Sequence, residues 1–502
     1  MSISSLDIFI ILGYLVVIAL VGSFTGGRQK STHDYFMGGS NVPWWAVAFS
    51  IVAAETSSLT FISIPGLAYI SNLNFLQLTA GYLLARILVA VFFLPAYKTG
   101  QLSTAYSFLE NRFGITTRRY ASMVFLLTRI AADGVRLFST AIPLALIFKT
   151  AHYFNDWSNF EIYALAIAII ACVSLIYTYT GGVKGVIWAD VVQMSIYIGG
   201  ALMALWVLLG YDYVSLKPAA DAGKLTLFNF DWGTSIADFF RKPYTFLGAL
   251  IGGTFLSMAS HGTDQLIVQR LLTTRTLKDS QKAIIASGVL VMVQFTLFLF
   301  IGMLLFSFYK GVPLADPSVP FSKADEIFPL FIIQQLPVGV KGIIIAGLFA
   351  AAMSTLAGSM SSLSSSVVLD LYKPRLKNTD DRKELKISRI ITVIAAVVLI
   401  FVAFTFIALN QSVVEIALGI ASITYGGLLG TFLLGLFFKR ADQKGAIIGF
   451  TAAIIVMILV SVLPITGLIK PIIHWTWFVL LGTIVTIVIG NAFSGKVNRG
   501  KS

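Results

Sequence analysis

The stretch that decides the fold is AAETSSLTFISIPG, residues 53–66, inside an apolar run that begins near Trp44. A glutamate, five hydroxyl-bearing residues and a Pro-Gly pair are costly in a segment long enough to cross a bilayer. Proline lacks a backbone donor, and serine and threonine hydroxyls compete for backbone groups, so we expect local unwinding near Ala53 to Thr60. Unwound backbone at membrane depth is tolerated where it lines a polar cavity or is buried in protein. The pattern predicts a discontinuous helix whose carbonyl oxygens suit a hard monovalent cation.

The remainder of the chain is equally apolar. Of 502 residues, 57% are hydrophobic and 12% are charged, and the mean hydropathy of +0.86 excludes a soluble globular domain. Apolar segments of roughly 20 residues, the length that crosses a ~30 Å hydrocarbon core, predict an all-α integral membrane protein with thirteen transmembrane helices. The predicted segments lie near residues 7–25, 44–70, 74–98, 120–149, 159–178, 187–210, 243–266, 281–309, 326–371, 386–409, 412–437, 441–463 and 471–494. The ninth is too long for one helix, so we expect an amphipathic stretch outside the membrane core before Gly342.

The basic residues predict the orientation in the membrane. Assigning the loops alternately to the two sides places 24 Lys and Arg on one side and 9 on the other. By the positive-inside rule the richer side is cytoplasmic, so we expect the amino terminus outside and the carboxyl terminus inside a cell (inner) membrane. This asymmetry explains the net charge of +13 without nucleic acid. Cys172 is the only cysteine and the four histidines are scattered, which argues against a disulfide framework and a metal cluster.

Several ionisable residues fall inside predicted spans. Arg129, Asp133 and Arg136 share one helical face at i, i+4 and i+7, so Asp133 can pair with either arginine. The stripe is either a self-neutralised structural network or, through Arg136, a site for an anionic solute. Glu55 and Asp264 are interpreted as counter-ions for Arg129 or Arg136 in preference to a direct role in binding the solute. A proton-coupled rival would use Glu55 or Asp264.

A second polar stretch, AAAMSTLAGSMSSLSSS at residues 350–366, contains the adjacent Ser354 and Thr355. Small residues allow close helix packing in lipid, and we favour that explanation for residues 361–366. For Ser354 and Thr355 we favour a role beside the interrupted helix, because secondary transporters bind solute and coupling ion at such breaks. The residues alone therefore indicate an ion-coupled transporter.

The chain also resembles the sodium:solute symporter family, which includes sodium-coupled sugar, sialic acid, proline, pantothenate and iodide transporters. The resemblance rests on STHDYFMGGSNVPWWAVAFSIVAAETSSLTF, YTGGVKGVIWADVVQ, DQLIVQRLL, LPVGVKGIIIAGLFAAAMSTLAGSMSSLSSSVVLDLYK and FLLGLFFKRADQKGAIIG, which occur in the family's order. It implies a single transporter domain over residues 1–502 with a five-plus-five inverted repeat. The parts would be an extra helix at 7–25, repeats at 44–210 and 243–437, and two final helices at 441–494.

The resemblance also implies a sodium site between the first and eighth core helices. Its ligands would be the carbonyls of Ala53, Thr56 and Ala351 and the hydroxyls of Ser354 and Thr355. Asp190 would support this site, although it could instead cap a helix near the TGGVKG turn. Some members bind a further sodium beside this aspartate through two more hydroxyls. Those hydroxyls correspond to Ala357 and Gly358 here, so we expect one sodium per cycle.

For the solute, the resemblance to the sialic acid branch is closer than that to the sugar transporters. The implied solute-binding residues are Ser57, Thr60, Phe75, Thr79, Arg136 and Ser257. With Arg136 as the anion-binding group, we expect a carboxylate or sugar acid.

The alternatives are a sodium/sugar symporter, a proton-coupled transporter, and a sensor or membrane enzyme built on a transporter body. No nucleophile elbow, phosphate loop or metal-ligand pair is visible in the sequence, so we do not expect an enzyme. No nucleic acid and no obligate protein partner are implied.

Overall fold

A computed structural model describes residues 4–56, 58–100, 102–150, 156–242, 244–314, 316–319, 321, 323–375, 380–407, 413–463 and 472–495. The helices are α1 (Ser5–Thr25), α2 (Thr32–Met37), α3 (Trp44–Glu55), α4 (Ser58–Ile70), α5 (Leu76–Leu88), α6 (Leu94–Thr99), α7 (Ser107–Phe113), α8 (Ile115–Thr150), α9 (Asn159–Leu209), α10 (Lys217–Asp221), α11 (Ile236–Arg241), α12 (Phe246–Gly262), α13 (Gln265–Leu272), α14 (Leu277–Phe308), α15 (Ala324–Gln335), α16 (Val340–Ser365), α17 (Asp381–Phe406), α18 (Val413–Phe437), α19 (Gln443–Val462) and α20 (Phe478–Ala492). A π-helical turn joins α5 to α6, and another extends α16.

Each of the thirteen predicted segments lies on these helices. Eight described helices are long and apolar enough to cross a bilayer by themselves, and α3 with α4 forms a ninth, bent span. The 51 residues of α9 would extend for about 77 Å as a straight helix. Gly182 interrupts it with φ 56° and ψ −162°, so α9 supplies both the fifth and the sixth predicted segment. The protein is a multi-pass membrane protein.

The predicted interruption lies between α3 and α4, whose axes differ by 66°. Thr56 ends α3 in an extended conformation, with φ −73° and ψ 124°. The sequence places the cause of the break partly at Pro65 and Gly66, and that was wrong, because both residues lie inside α4. Gly66 instead allows α15 to approach, since a Cβ there would lie 2.2 Å from the carbonyl oxygen of Ala324.

A second interruption, which the sequence analysis did not predict, separates α12 from α13. Asp264 caps α13 by accepting a hydrogen bond from the Leu266 amide at 2.9 Å. The sequence HGTDQ carried the signal, because a glycine followed by an aspartate favours a helix end and a new N-cap. Counted from α3, the broken helices are the first and sixth of ten, as expected for two repeats of five.

The serine-rich helix α16 lies at the centre of the molecule. The most apolar part of its span is 94% buried, compared with 22% for α1. It packs against α9, α1, α8 and α17, and also against α3 at the interruption. Burial on all sides explains its small residues, because a larger side chain would separate the surrounding helices.

Candidate functional site

The end of α3 contacts α16 through the hydroxyl of Thr355. Thr355 Oγ1 lies 3.2 Å from the carbonyl oxygen of Ala54 and 3.2 Å from that of Ala351, so it can donate to either. Because a helix end leaves carbonyl oxygens without intrahelical partners, this contact places α16 against available main-chain acceptors. The interrupted helix and the adjacent hydroxyl pair are therefore neighbours, as the sequence predicts.

The five residues predicted to bind sodium are all buried and lie on these two elements. Ala53 and Thr56 are each 3% exposed, Ala351 and Thr355 are each 4% exposed, and Ser354 is fully buried. They offer carbonyl and hydroxyl oxygens, the ligands that hard cations prefer. The set carries no formal charge, which suits a monovalent ion better than a divalent one.

Asp190 lies behind Ser354 in a fully buried network. Ser354 Oγ donates to Asp190 Oδ1 at 2.6 Å, and Ser50 donates to Oδ2. The guanidinium of Arg270 contacts Oδ2 at 3.1 Å and donates from Nε to Ser50 Oγ at 2.8 Å. Asp190 therefore does not cap the TGGVKG turn, because its carboxylate joins α9 to α3, α13 and α16.

The Arg270 guanidinium also occupies the space above Gly358. A Cβ at position 358 would lie 2.5 Å from Nη2 and 2.8 Å from Nη1 of Arg270. A hydroxyl-bearing residue at this position would therefore collide with the guanidinium. The resemblance places the second sodium of some family members beside the aspartate that matches Asp190. In this protein the guanidinium of Arg270 lies beside Asp190.

The α8 stripe forms the predicted ion pairs. Asp133 lies 3.3 Å from both Arg129 and Arg136, which confirms that it can pair with either. Arg129 also contacts Asp264 at 2.6 Å, and Tyr425 donates to Asp264 at 2.8 Å. Asp264 is therefore confirmed as a counter-ion of Arg129, and the network joins α8 to the break between α12 and α13.

Arg136 differs from its neighbours in being accessible. Its side chain is 33% exposed, whereas that of Asp133 is 1% exposed. Its ion pair with Asp133 uses one guanidinium nitrogen, so donors remain for an anionic ligand.

Glu55 does not pair with Arg129 or Arg136, and that expectation was wrong. Its carboxylate contacts Arg86 of α5 and lies 3.5 Å from Nε2 of His261. Arg86 donates from Nη1 to Ser287 Oγ at 2.9 Å, and its Nη2 lies 3.0 Å from His261 Nε2. The cluster was not predicted from the sequence because Glu55, Arg86 and His261 are separated by 31 to 206 residues along the chain.

The predicted solute-binding residues lie on several elements. Phe75 contacts Phe295 and Tyr244, with ring centroids 5.3 Å and 5.5 Å apart. Thr79 is fully buried on α5, and Ser257 is 1% exposed on α12. Where these two helices cross, a Cβ on Gly81 would lie 2.5 Å from the carbonyl oxygen of Leu250.

The remaining predicted residues are placed less completely. Thr60 is half-buried on α4, and Ser57 lies outside the described residues. Arg136 extends from α8, and no described contact joins it to Phe75, Thr79 or Ser257.

Comparisons with known proteins agree with this architecture. A model of the sodium:solute symporter family matches residues 35–453. The sodium/sialic acid symporter NanT of Aliivibrio fischeri is 30% identical over 97% of this chain and 93% of its own. The sodium/sialic acid symporter SiaT of Proteus mirabilis is 30% identical over 89% of this chain and 88% of its own. The sodium/glucose cotransporter of Vibrio parahaemolyticus is 27% identical over 99% and 92% of the two chains.

Two solved structures share the fold. One is a substrate-bound, outward-open Na+-coupled sialic acid symporter, described as having a novel Na+ site. It superposes with a TM-score of 0.83 at 27% identity and covers 98% of each chain. The other is MHP1, a nucleobase-cation-symport-1 family transporter, with a TM-score of 0.58 at 11% identity over 90% of this chain and 92% of its own. The matches confirm the predicted fold class.

Proposed function

Because the chain belongs to the sodium:solute symporter family, we propose that it imports a small carboxylate or sugar acid, such as a sialic acid, together with sodium. The observation that carries the proposal is the contact between the Thr355 hydroxyl and the Ala54 carbonyl, at the end of the interrupted helix. It brings oxygen ligands from α3 and α16 together at one buried point.

In the proposed site, sodium is bound by the carbonyls of Ala53, Thr56 and Ala351 and by the hydroxyls of Ser354 and Thr355. Asp190 orients the Ser354 hydroxyl by accepting its hydrogen bond. Sodium would replace hydrogen bonds such as that from Thr355 to Ala54, and so hold the end of α3 against α16.

We propose that the solute site lies beside the sodium site. In the sequence Ser57 directly precedes the first residue of α4. Thr60 lies on α4, Phe75 directly precedes α5, and Thr79 and Ser257 lie on α5 and α12. Fixing the end of α3 would order the start of α4 and complete the pocket, so sodium binding would precede tight solute binding. Arg136 is proposed to attract the carboxylate, because it retains free donors and partial exposure.

Alternating access then converts the sodium gradient into solute uptake. Closure of the outer side and rocking of the helices would expose both sites to the cytoplasm. A negative interior supplies about 2.3 kcal/mol per charge per 100 mV. We place the protein in the inner membrane of a bacterium, with the amino terminus outside and the carboxyl terminus inside. We propose no enzymatic activity and no obligate protein partner.

We further propose one sodium per cycle. Arg270 already neutralises Asp190, and its guanidinium lies where a Cβ at Gly358 would project. A second sodium there would have to displace a buried cation from its carboxylate, which is costly. Uptake or solute binding measured against sodium concentration should give a Hill coefficient near 1, and a value approaching 2 would contradict this stoichiometry.

The experiment that tests the function is thermal stabilisation of the purified protein. N-acetylneuraminate, other sugar acids, monocarboxylates, amino acids and glucose are each added with sodium or with choline at equal ionic strength. We expect the sugar acids to raise the melting temperature only with sodium. Stabilisation by glucose alone would favour the sodium/sugar alternative, and stabilisation or uptake that persists in choline would favour proton coupling.

A further inference from the structure

Glu55 is partly exposed in surroundings that are otherwise buried. Its side chain is 21% exposed, although its partner Arg86 is fully buried and His261 is 2% exposed. The adjacent residues Ala54 and Thr56 are each 3% exposed. The accessible surface of Glu55 therefore lies at a point where its partners and its described chain neighbours are buried.

Arg86, the partner of Glu55, shares one face of α5 with two residues proposed to bind the solute. Phe75, Thr79, Tyr82 and Arg86 follow each other at spacings of four, three and four residues, so they form one stripe along α5. Long side chains on a helix point back toward its amino terminus, so Arg86 extends toward Tyr82 and Thr79. This row of residues therefore extends from Phe75, which contacts two other aromatic rings, to the ion pair between Arg86 and Glu55.

The hydrogen bonds fix one oxygen of Glu55 and leave the other available. Arg86 donates to Oε2, and Nε2 of His261 lies 3.5 Å from the same oxygen. Arg86 can only donate, so its contact with Nε2 of His261 assigns the proton of that ring to Nδ1. Nδ1 in turn lies 3.2 Å from the Ser257 carbonyl and 2.8 Å from Ser260 Oγ. Within the described part of the chain, no donor is placed on Oε1.

We propose that Glu55 is a specificity-determining residue whose Oε1 accepts a hydrogen bond from a hydroxyl or ammonium group of the anionic solute. Arg86 is the positioning residue that holds the carboxylate by its other oxygen, and His261 accepts a hydrogen bond from Arg86. The inference rests on the proposed function and narrows its substrate class. The site prefers organic acids that carry hydrogen-bond donors over simple monocarboxylates.

The preference follows from the chemistry of the cluster. Arg86 cancels the charge of Glu55, so the pair neither attracts nor repels a solute carboxylate strongly. An ionised carboxylate is nevertheless an acceptor only, and it forms stronger hydrogen bonds than a neutral group. A solute that presents an apolar chain would leave Oε1 without a partner after water is excluded.

The test compares matched ligands on the full-length protein in sodium. N-acetylneuraminate is measured against an analogue lacking one hydroxyl, gluconate against hexanoate, and 6-aminohexanoate tests the ammonium group. For the wild-type protein we expect a ratio of half-saturating concentrations of roughly 10 to 100 for at least one pair. Gluconate or N-acetylneuraminate binding more tightly would assign a hydroxyl, and 6-aminohexanoate binding more tightly than hexanoate would assign an ammonium group.

Two variants weaken the acceptor in different ways: one moves the carboxylate, and the other replaces it with a neutral amide oxygen. Glu55→Asp keeps the charge for Arg86 but withdraws the carboxylate, and the double variant E55Q/R86Q avoids an unpaired buried charge. We expect the ratio to fall toward 1 in Glu55→Asp and to fall at least several-fold in the double variant. Glu110→Gln, which removes a distant partner of Arg118, is the control and should leave the ratio unchanged.

Three outcomes would overturn the proposal. A ratio unchanged in both variants would make the cluster purely structural. A shift in sodium dependence with an unchanged ratio would assign Glu55 to the ion site. A wild-type ratio near 1 for all pairs, despite sodium-dependent binding, would refute the inference while leaving the proposed function intact. The absence of sodium-dependent stabilisation by any solute would instead reject the proposed function itself.

Discussion

At the scale of single residues, Thr355 is the most direct link between the sequence and the proposed ion site. Its hydroxyl lies within hydrogen-bond distance of two carbonyl oxygens, one on each of the helices that meet there. Ser354, the preceding residue, donates its hydroxyl hydrogen bond to Asp190 instead. Adjacent residues on a helix point about 100° apart. Thr355 can therefore face the end of α3 in the proposed sodium site while Ser354 contacts Asp190.

Replacing Thr355 with alanine should weaken sodium binding. The variant loses one oxygen ligand and leaves the Ala54 carbonyl without its donor. We expect the sodium concentration for half-maximal stabilisation to rise by about tenfold, as for the loss of roughly 1.4 kcal/mol. Thr355→Ser keeps the hydroxyl and is the control, with a shift of less than threefold. Equal sodium dependence in the wild-type protein and Thr355→Ala would remove Thr355 from the site.

Residues of this kind were predictable to different degrees. Ser354 and Thr355 could be identified because hydroxyls are conspicuous in an apolar helix and because family motifs contain them. Arg270 and His261 were not assigned, although Arg270 lies within the quoted motif DQLIVQRLL and His261 lies three residues before it. Their roles depend on partners such as Asp190 and Glu55, which lie 80 and 206 residues away in the chain. Sequence spacing within one helix reveals pairs such as Arg129 and Asp133, but it does not reveal pairs between helices.

At the scale of elements, the broken helix α3/α4 shows what local sequence can and cannot determine. Hydroxyl-bearing residues and a glutamate in an apolar span indicated an interruption, and it lies within the expected range. The Pro-Gly pair was misinterpreted because its role depends on tertiary packing. A Cβ at Gly302 would lie 2.3 Å from the Pro65 carbonyl oxygen, so α14 passes as closely to this part of α4 as α15 does at Gly66.

Alanine at Gly66 or Gly302 should therefore destabilise the protein by overpacking. In each case the added Cβ meets a backbone carbonyl that cannot move without shifting a helix. We expect a loss of about 1 to 3 kcal/mol, measured as a lower melting temperature, with little change in sodium dependence. Gly199→Ala is the control, because nothing lies within 4 Å of its Cβ position. A melting temperature unchanged by Gly66→Ala would show that α15 does not pack closely there.

The segment around α11, between two membrane helices, should respond to acid. Lys242 contacts Asp231 at 2.6 Å and Asp238 at 3.5 Å, and the segment reaches α20 through Phe240 and Trp477. The hydrogen bond from Lys242 lowers the pKa of Asp231, and the backbone amide of Thr234 lowers that of Asp238. Lowered carboxyl pKa values contribute stability above the ordinary value of 3.8, and this stability is lost as pH falls through the native pKa values.

Below about pH 4, amide exchange in residues 231–241 should therefore accelerate while the transmembrane helices remain protected. The effect should be small, because exposed ion pairs are weak. Lys242→Ala should produce part of the same acceleration at neutral pH, since it removes the partner of both carboxylates. Equal exchange in this segment at pH 3 and pH 7, after correction for intrinsic rates, would contradict the interpretation.

At the scale of the whole molecule, the architecture was more predictable than the site. Thirteen spans follow from hydrophobic length, because the bilayer imposes a fixed thickness on every crossing. The pairing of broken helices one and six follows from the repeat, although local sequence revealed only the first. The positions of Arg86, Glu55 and His261 follow from neither rule, since they depend on how α5, α3 and α12 are arranged around the centre.

The orientation in the membrane is the last prediction, and it depends on the distribution of charge over the whole chain. The loops proposed as cytoplasmic contain 24 Lys and Arg, and the loops proposed as external contain 9. By the positive-inside rule, the side with more Lys and Arg is cytoplasmic. Starting from Cys172→Ala, which removes the only cysteine, single cysteines are introduced at the exposed positions Ala222 and Lys383. A membrane-impermeant thiol reagent should label position 222 in intact cells, and it should reach position 383 only after permeabilisation. The reverse pattern would place the amino terminus inside, and the solute would then meet the proposed pocket from the opposite side.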